Sequence, residues 1–387
     1  MNVLIVGAGI AGLASSFFLQ RSGHNVTLVE KAPALRDEGY MLDFFGPGYC
    51  ACERAGLLSD LKKIHCPIAR LTFLNQRGRE SVSVPYADIR KVFSGRHLNF
   101  MRGHLERLLY DKVKDRVEIR FATTIASFEQ TTNVRIVFSD GTVESYDMLV
   151  GADGVHSEVR SLAFGAEQQF ARPLGYCAGA FVMDDAPPGF ERSQACLMLT
   201  VPGHLASIYP IPGGRCATSF LYRSDRCTQP SSDVQFISRL REGFGDADSI
   251  VHGVLRAPSS EPYFDSVAQI QMPRWRHGRV VLVGDACQCV SVMAGQGASL
   301  AVAAAYVLAE EIAGAPDDIA AALRRYEIRV RPGIEQTQAA GRKFASWLVP
   351  DSEARIFVRN LLMRASQWPG TQALLRRALA AENSVSV

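Results

Sequence analysis

MNVLIVGAGIAGLASSFFLQRSGHNVTLVE, residues 1–30, is the stretch that decides the fold. Asn2 to Val6 is a short apolar run of the kind a parallel sheet buries on both faces. Gly7-Ala8-Gly9-Ile10-Ala11-Gly12 follows, then a helical stretch to Arg21 that Ser22-Gly23-His24 ends. Asn25 to Val29 reads as a second buried strand with Glu30 at its tip. Strand, glycine turn, helix and strand make a βαβ unit. Gly7 permits the tight turn, Gly9 leaves space for phosphates against the backbone, and Gly12 lets helix and strand lie close. Free N–H groups and the helix dipole then favour a diphosphate, while the Glu30 carboxylate suits ribose hydroxyls. Ile10 and Ala11 in the turn, and Lys31 after the acid, complete the binding set at this end. The context before and after the turn specifies a dinucleotide, without choosing between a nicotinamide and a flavin.

Working outward, 387 residues allow two domains and an appended element. Hydrophobic residues are 47% and charged residues 21%, ordinary for a chain with a sizeable core. A net charge of +3 with no long Lys/Arg block gives nucleic acid no electrostatic footprint. Arg324, Arg325, Arg329 and Arg331, with Glu327 interleaved, read as a solvated helix face. The nine cysteines are odd in number and lack a C-x-x-C, so a disulfide framework and a zinc site are not expected, and a cytoplasmic location fits. The pairs Cys50/Cys52 and Cys287/Cys289 read as small buried hydrophobes. No metal site is expected. The apolar N-terminus has no charged leader and is broken by glycines, so it reads as neither signal peptide nor membrane span.

Further along, 50–61 and 102–113 read as helices, and 117–121, 125–130, 134–138 and 143–150 as strands, with a tight turn at Asp140-Gly141. Between 172 and 262 short alternating β segments dominate (176–183, 195–201, 206–211 and 217–222), interrupted by a helix at 231–243. Residues 280–283 form another buried strand, 296–313 an apolar helix, and 317–381 stay helical with breaks near Pro332, Pro350 and Pro369.

Two distant stretches complete the pattern. One is Gly151-Ala152-Asp153-Gly154-Val155-His156-Ser157-Glu158-Val159-Arg160; the other is Arg279 to Ala286, containing Gly284-Asp285, followed by Gly295-Gln296-Gly297. In this order they resemble the class A flavoprotein monooxygenases, the para-hydroxybenzoate hydroxylase-like superfamily. The stretches 39–43 through 55–58, Arg102 and the helical tail are similar to the tetracycline destructases. The resemblance implies an α/β fold: a Rossmann-type FAD-binding domain (1–75, 100–171 and 263–316), a mostly antiparallel substrate domain (76–99 and 172–262), and a C-terminal helical segment (317–387).

It also implies non-covalent FAD. Gly284 and Asp285 would hold the ribityl chain, and Gly295, Gln296 and Gly297 would start a helix aimed at the flavin pyrimidine end. Asp153 and Gly154 would shape the second fingerprint, Arg102 would contact FAD, and Arg36 would lie near the ribose or diphosphate. The stretch 287–294 departs from the family: it has no proline, and Gln288 replaces the usual histidine. With only one G-x-G-x-x-G, NADPH or NADH is expected as a transient visitor.

The activity implied is monooxygenation, with NAD(P)H and O2 oxygenating a bulky, partly apolar, polycyclic organic molecule through a flavin C4a-hydroperoxide. Asp43, Tyr209, Phe220 and Met293 are candidates for the substrate side. A reductase or dehydrogenase of the same fold, and a non-catalytic flavin-binding protein, are the alternatives. Trp275, Trp347 and Trp368 do not form the W-x-W-x-I-P stretch of flavin halogenases. Either a monomer or a homodimer is compatible with the sequence.

Overall fold

The computed structural model describes residues 1–365 apart from 36–38, 185–189, 191–193, 225–226, 228–231 and 245–261. Its base is a six-stranded sheet in the order Arg276–His277, Val280–Leu282, Met148–Gly151, Asn2–Val6, Asn25–Val29 and Glu118–Arg120. Every pairing is parallel except that of Arg276–His277. The short apolar runs form these strands because both faces are covered. Val3, Leu4 and Ile5 have no exposed surface, as a sheet sandwiched between layers requires. Helix Ile10–Arg21 buries ten of its residues in succession, from Ile10 to Leu19. The first strand lies between the second and Met148–Gly151, so a crevice opens at its carboxyl end.

The 143–150 stretch is two strands, not one. Val143–Tyr146 closes a three-stranded antiparallel sheet, and Met148–Gly151 joins the base sheet. Asp147 makes the change of sheet: its carboxylate accepts the Asn2 N–H at 2.7 Å and its own N–H donates to Asn2 O. The expected helix at 50–61 is also two, Pro47–Arg54 and Leu58–Lys63, parted at Gly56, whose φ of +77° suits a residue without Cβ.

Above the base lies a seven-stranded roof in the order Tyr263–Ile270, Ala171–Met183, Arg215–Arg223, His204–Ile211, Ala195–Val201, Arg70–Leu74 and Glu80–Pro85. Only the pairing of Ala195–Val201 with Arg70–Leu74 is parallel. The roof therefore takes strands from outside 76–99 and 172–262. On its outer face, Phe181 and Phe220 stack together, and Phe220 meets Phe244 of the helix Asp233–Phe244. A two-stranded ribbon, Met41–Phe45 with His97–Met101, joins base to roof.

The C-terminal helix Ile319–Leu348 runs straight through Pro332, where a break was expected. An internal proline costs a helix about 3 kcal/mol. Here Leu323, Tyr326, Val330, Ile334 and Ala345 are buried at helical spacing on both sides of it, and that burial outweighs the local cost. The chain does break near Pro350, before helix Glu353–Ala365; Pro369 lies outside the described residues. Cys177 and Cys227 are joined as a disulfide, which their spacing did not signal. Cys52, Cys287 and Cys289 are buried thiols, and burial pushes that of Cys52 up to about 12. Among the described residues no helix is long and apolar enough to cross a membrane.

Candidate active site

A cavity of about 540 Å³ runs from the first glycine turn, past Asp285, to the underside of the roof. Two helices point their N-termini at it. Helix Ile10–Arg21 begins after Gly9 and helix Gly297–Ala313 after Gln296, and neither first turn is capped by a side chain. Uncapped N–H groups at two dipole ends make this cavity suited to an extended anionic ligand.

The glycines divide by what surrounds them. A Cβ on Gly12 would lie 1.8 Å from the Gly7 carbonyl oxygen, and one on Gly7 would lie 2.6 Å from that of Ala152. These two allow close backbone packing. A Cβ on Gly9 would meet nothing nearer than 3.8 Å, and Gly154 and Gly295 face open space. These three keep the cavity wall low. Gly284 has φ +65°, and its added Cβ would strike Ala11 at 2.5 Å, so it docks the strand end on the first helix. Gln296 is buried at the helix start, and Gly297 lies beside Asp285.

At the end beside the glycine turn, Glu30 accepts N–H bonds from Ala8 at 2.7 Å and Ala32 at 2.9 Å, with Lys31 beside it on the wall. Arg102 reaches the cavity and pairs with Glu106 Oε1 at 3.0 Å. Burial opposes its charge, but Glu106, Tyr40 and Asp285 hold Arg102 above the ordinary arginine range. Burial likewise pushes the Asp285 carboxyl up, while Arg102 pulls it down. Asp153 lines the wall with Gly154, and its carboxylate accepts from Ser157 Oγ at 2.5 Å and the Val159 N–H at 3.0 Å. Ile10 and Ala11 also line it. Arg36 lies outside the described residues.

The residues present fit FAD: bare backbone for a diphosphate, a carboxylate at each end of a long slot, and a second helix dipole at the far end. The FAD binding domain family matches residues 1–338. The chain is a class A FAD-dependent monooxygenase.

Among its relatives, a flavin-dependent monooxygenase of Legionella longbeachae is 31% identical over 90% of this chain and 88% of its own. An FAD-dependent monooxygenase of Sarocladium schorii, asL6, is 32% identical over 87% and 86%. The crystal structure of tetracycline destructase Tet(55) superposes with a TM-score of 0.80 at 26% identity, covering 94% of each chain.

The cavity of this monooxygenase continues under the roof, where the four substrate-side candidates part company. Asp43 lines the wall. Its Oδ1 accepts from Asn99 Nδ2 at 2.6 Å, Tyr86 Oη at 2.7 Å and His97 Nε2 at 3.0 Å. Burial works against the charged form, but these donors overcome it, led by His97, so the carboxyl titrates below its ordinary value. Tyr209 spans the gap between roof and ribbon, accepting the Met41 N–H at 2.6 Å. Phe220 borders the cavity, but its ring points to the outer face, against Phe181 and Phe244. Strand alternation turns its neighbours Ser219 and Leu221 inward instead. Met293 packs with Met198, Val267 and Ala345 rather than on the wall.

The sequence reading missed Glu106, Tyr40, Tyr263, Ser207 and Ser219. Glu106 was findable as the i+4 partner of Arg102 on a helix. Tyr263, Ser207 and Ser219 depend on strand register, which a single sequence does not settle, and Tyr40 lies just before the strand Met41–Phe45 with no local signal to mark it.

Proposed function

We propose that this monooxygenase draws electrons from NADPH or NADH and inserts one oxygen atom of O2 into a bulky, polycyclic organic molecule held beneath the roof. Bound FAD would supply the redox chemistry, accepting a hydride and activating oxygen. The chain's own residues position, exclude water and tune charge. Gly7 to Gly12 and the first helix would take the diphosphate, and Glu30 the ribose. Asp285 and Arg102 would flank the ribityl chain, and the Gly297–Ala313 N-terminus would favour negative charge on the reduced ring. Asp153, Gly154 and Gly295 would shape the wall. Asp43, ionised and open to the cavity, would accept a hydrogen bond from a substrate hydroxyl or N–H group.

The observation that carries this reading is one continuous cavity joining two uncapped helix ends to an enclosed space under the roof. The relatives named as monooxygenases, one of them a destructase of tetracycline, support a large ring system as substrate. Two measurements test it. Mixed anaerobically with NADPH or NADH, the yellow protein should bleach; with substrate and ¹⁸O2, product should gain one labelled oxygen atom. A saturated product without label would make it a reductase instead.

A further inference from the structure

Carboxylates outnumber Lys and Arg side chains on the cavity wall by seven to two among the described residues, so the cavity is acidic before any ligand enters. Most of these carboxylates are already engaged. Glu106 pairs with Arg102, and Asp265 with His156. Glu30 and Asp153 accept backbone N–H groups, and Glu158 accepts from Thr124 Oγ1 at 3.0 Å. Asp285 feels the charge of Arg102 at the flavin end. The seventh, Asp43, stands apart from both cations of the wall, because Lys31 lies beside Glu30 and Arg102 beside Glu106 and Asp285.

Asp43 belongs to the roof side. Its partner Tyr86 packs with Tyr209 and Ala217 of the roof strands. All three of its donors crowd one oxygen: Asn99 Nδ2 at 2.6 Å, Tyr86 Oη at 2.7 Å and His97 Nε2 at 3.0 Å all bond to Oδ1. Among the described residues nothing bonds to Oδ2. The side chain keeps 45% of its surface accessible and lines the cavity, so its free edge opens inward. Three donors from a strand partner and a neighbouring helix fix the carboxylate plane, and Oδ2 has no freedom to turn away. Nor do the donors bring a positive charge. Tyr86 and Asn99 are neutral. His97 is shut among Phe45, Tyr86 and Phe93, and its Nδ1 is buried with no acceptor, so a second ring proton would have no hydrogen bond.

A ligand that seats against this edge expels the water that solvates it. An anion left facing an apolar body is costly. A neutral hydroxyl offsets part of that cost, and an ammonium offsets more, through a charge-assisted bond and attraction at low dielectric. A second carboxylate is repelled. We propose that Asp43 is a specificity-determining residue whose free Oδ2 selects a substrate carrying a protonated amine. This rests on the monooxygenase reading of the same cavity, and it adds the charge that the substrate brings.

The test is calorimetric titration at pH 7 of the purified full chain, as isolated with its flavin. The probes share one apolar body and differ in charge: 1-naphthylmethylamine, 1-naphthalenemethanol and 1-naphthylacetate. Wild type should bind the amine at least about tenfold more tightly than the alcohol, the size of one charge-assisted hydrogen bond, and the carboxylate most weakly. Asp43→Asn, nearly the same in shape, should bring the amine down to the affinity of the alcohol and leave the alcohol within about twofold, with flavin content as the control for folding. If that variant does not hold flavin, the wild-type ranking alone decides. Equal affinity for amine and alcohol, no binding of the amine by wild type, or a preference for the amine that survives in a folded Asp43→Asn variant would each overturn the proposal. Failure of the flavin reading looks different, because the wild-type protein would then be colourless whatever the probes do.

Discussion

Replacing Gly9 by valine separates the role of the turn in binding from its role in folding. Gly9 has φ −74° and ψ −176°, extended backbone open to any L residue. A Cβ there meets Arg102 Nη2 and Glu106 Oε1, each at 3.8 Å, which is ordinary contact. The fold should therefore accept the side chain, at no more than about 1 kcal/mol for a poorer helix cap. The cavity should not. If a diphosphate takes two N–H groups here, each charge-assisted bond is worth about 1.5 kcal/mol or more. Losing both costs about 3 kcal/mol, or on the order of 100-fold in affinity. Gly12→Ala is the contrast: its Cβ would lie 1.8 Å from a backbone oxygen that cannot swing away, and the overpacking should cost about 3 kcal/mol or more. FAD titration and thermal unfolding of both apo-proteins check this. Wild-type FAD affinity in Gly9→Val, or a loss of stability matching Gly12→Ala, would refute the assignment of the turn.

Glu30→Ala should weaken FAD about tenfold and also destabilise the apo-protein by about 1–2 kcal/mol, since the Ala8 and Ala32 N–H groups lose their acceptor; urea unfolding reads the second effect. His156 sits between Asp265 and Glu167, which raise its pKa to about 9, Asp265 more strongly and against burial. Its raised pKa means that the stabilisation is complete below the unfolded value of 6.5 and fades as pH rises through about 9. The melting-temperature gap between wild type and His156→Gln should therefore shrink from pH 6 to pH 10, though the ring's exposure keeps it small. Ser291 has φ +80° and ψ +152°, a region nearly reserved for glycine, and its buried hydroxyl has no partner. Ser291→Gly should raise stability by about 1 kcal/mol in chemical unfolding, and a loss would show that the hydroxyl is bonded.

The base sheet and the glycine turn were legible because their signals are local: apolar runs, glycines at fixed spacing and an acid at a strand tip. Strands 125–130 and 134–138 match the structure as Ile125–Gln130 and Val134–Phe138. Asp147 and Pro332 misled for opposite reasons. At Asp147 one continuous strand pattern hid a change of sheet, made by bonds to Asn2, far away in sequence. At Pro332 a local breaker signal lost to burial of the whole helix face. The substrate side was the least legible part. Phe220 is a substrate-side candidate from sequence, but whether it or Ser219 faces the cavity depends on one residue of register.

The stretch without proline illustrates how a distant element can replace a local constraint. Proline stiffens a loop by fixing φ. Residues 287–294 lack it, yet the carbonyls they present are held from behind by side-chain amides. Gln338 Nε2 donates to Cys289 O at 3.0 Å and Ile270 O at 2.8 Å, and Gln269 Nε2 donates to Val290 O and Gln338 O. Arg342 in turn fixes Gln269 at 2.7 Å. Gln288, standing where the family has histidine, accepts the Gly284 N–H and donates to Tyr326 Oη. Tyr326, Gln338 and Arg342 all belong to the helix Ile319–Leu348. The C-terminal helix is thus the back wall of the cavity loop, and Gly341 is small because a Cβ there would come within 3.3 Å of Val290 O. Loosening this helix should disturb the cavity without touching it. Gln338→Leu would remove a donor from the Ile270 carbonyl and leave Cys289 O with the Ile270 N–H alone, while keeping side-chain volume, and a buried carbonyl that loses its partner costs about 1–3 kcal/mol. Its loop should exchange backbone hydrogens faster at Ser291 and Val292 than wild type. Unchanged exchange there would mean that the loop holds its own shape.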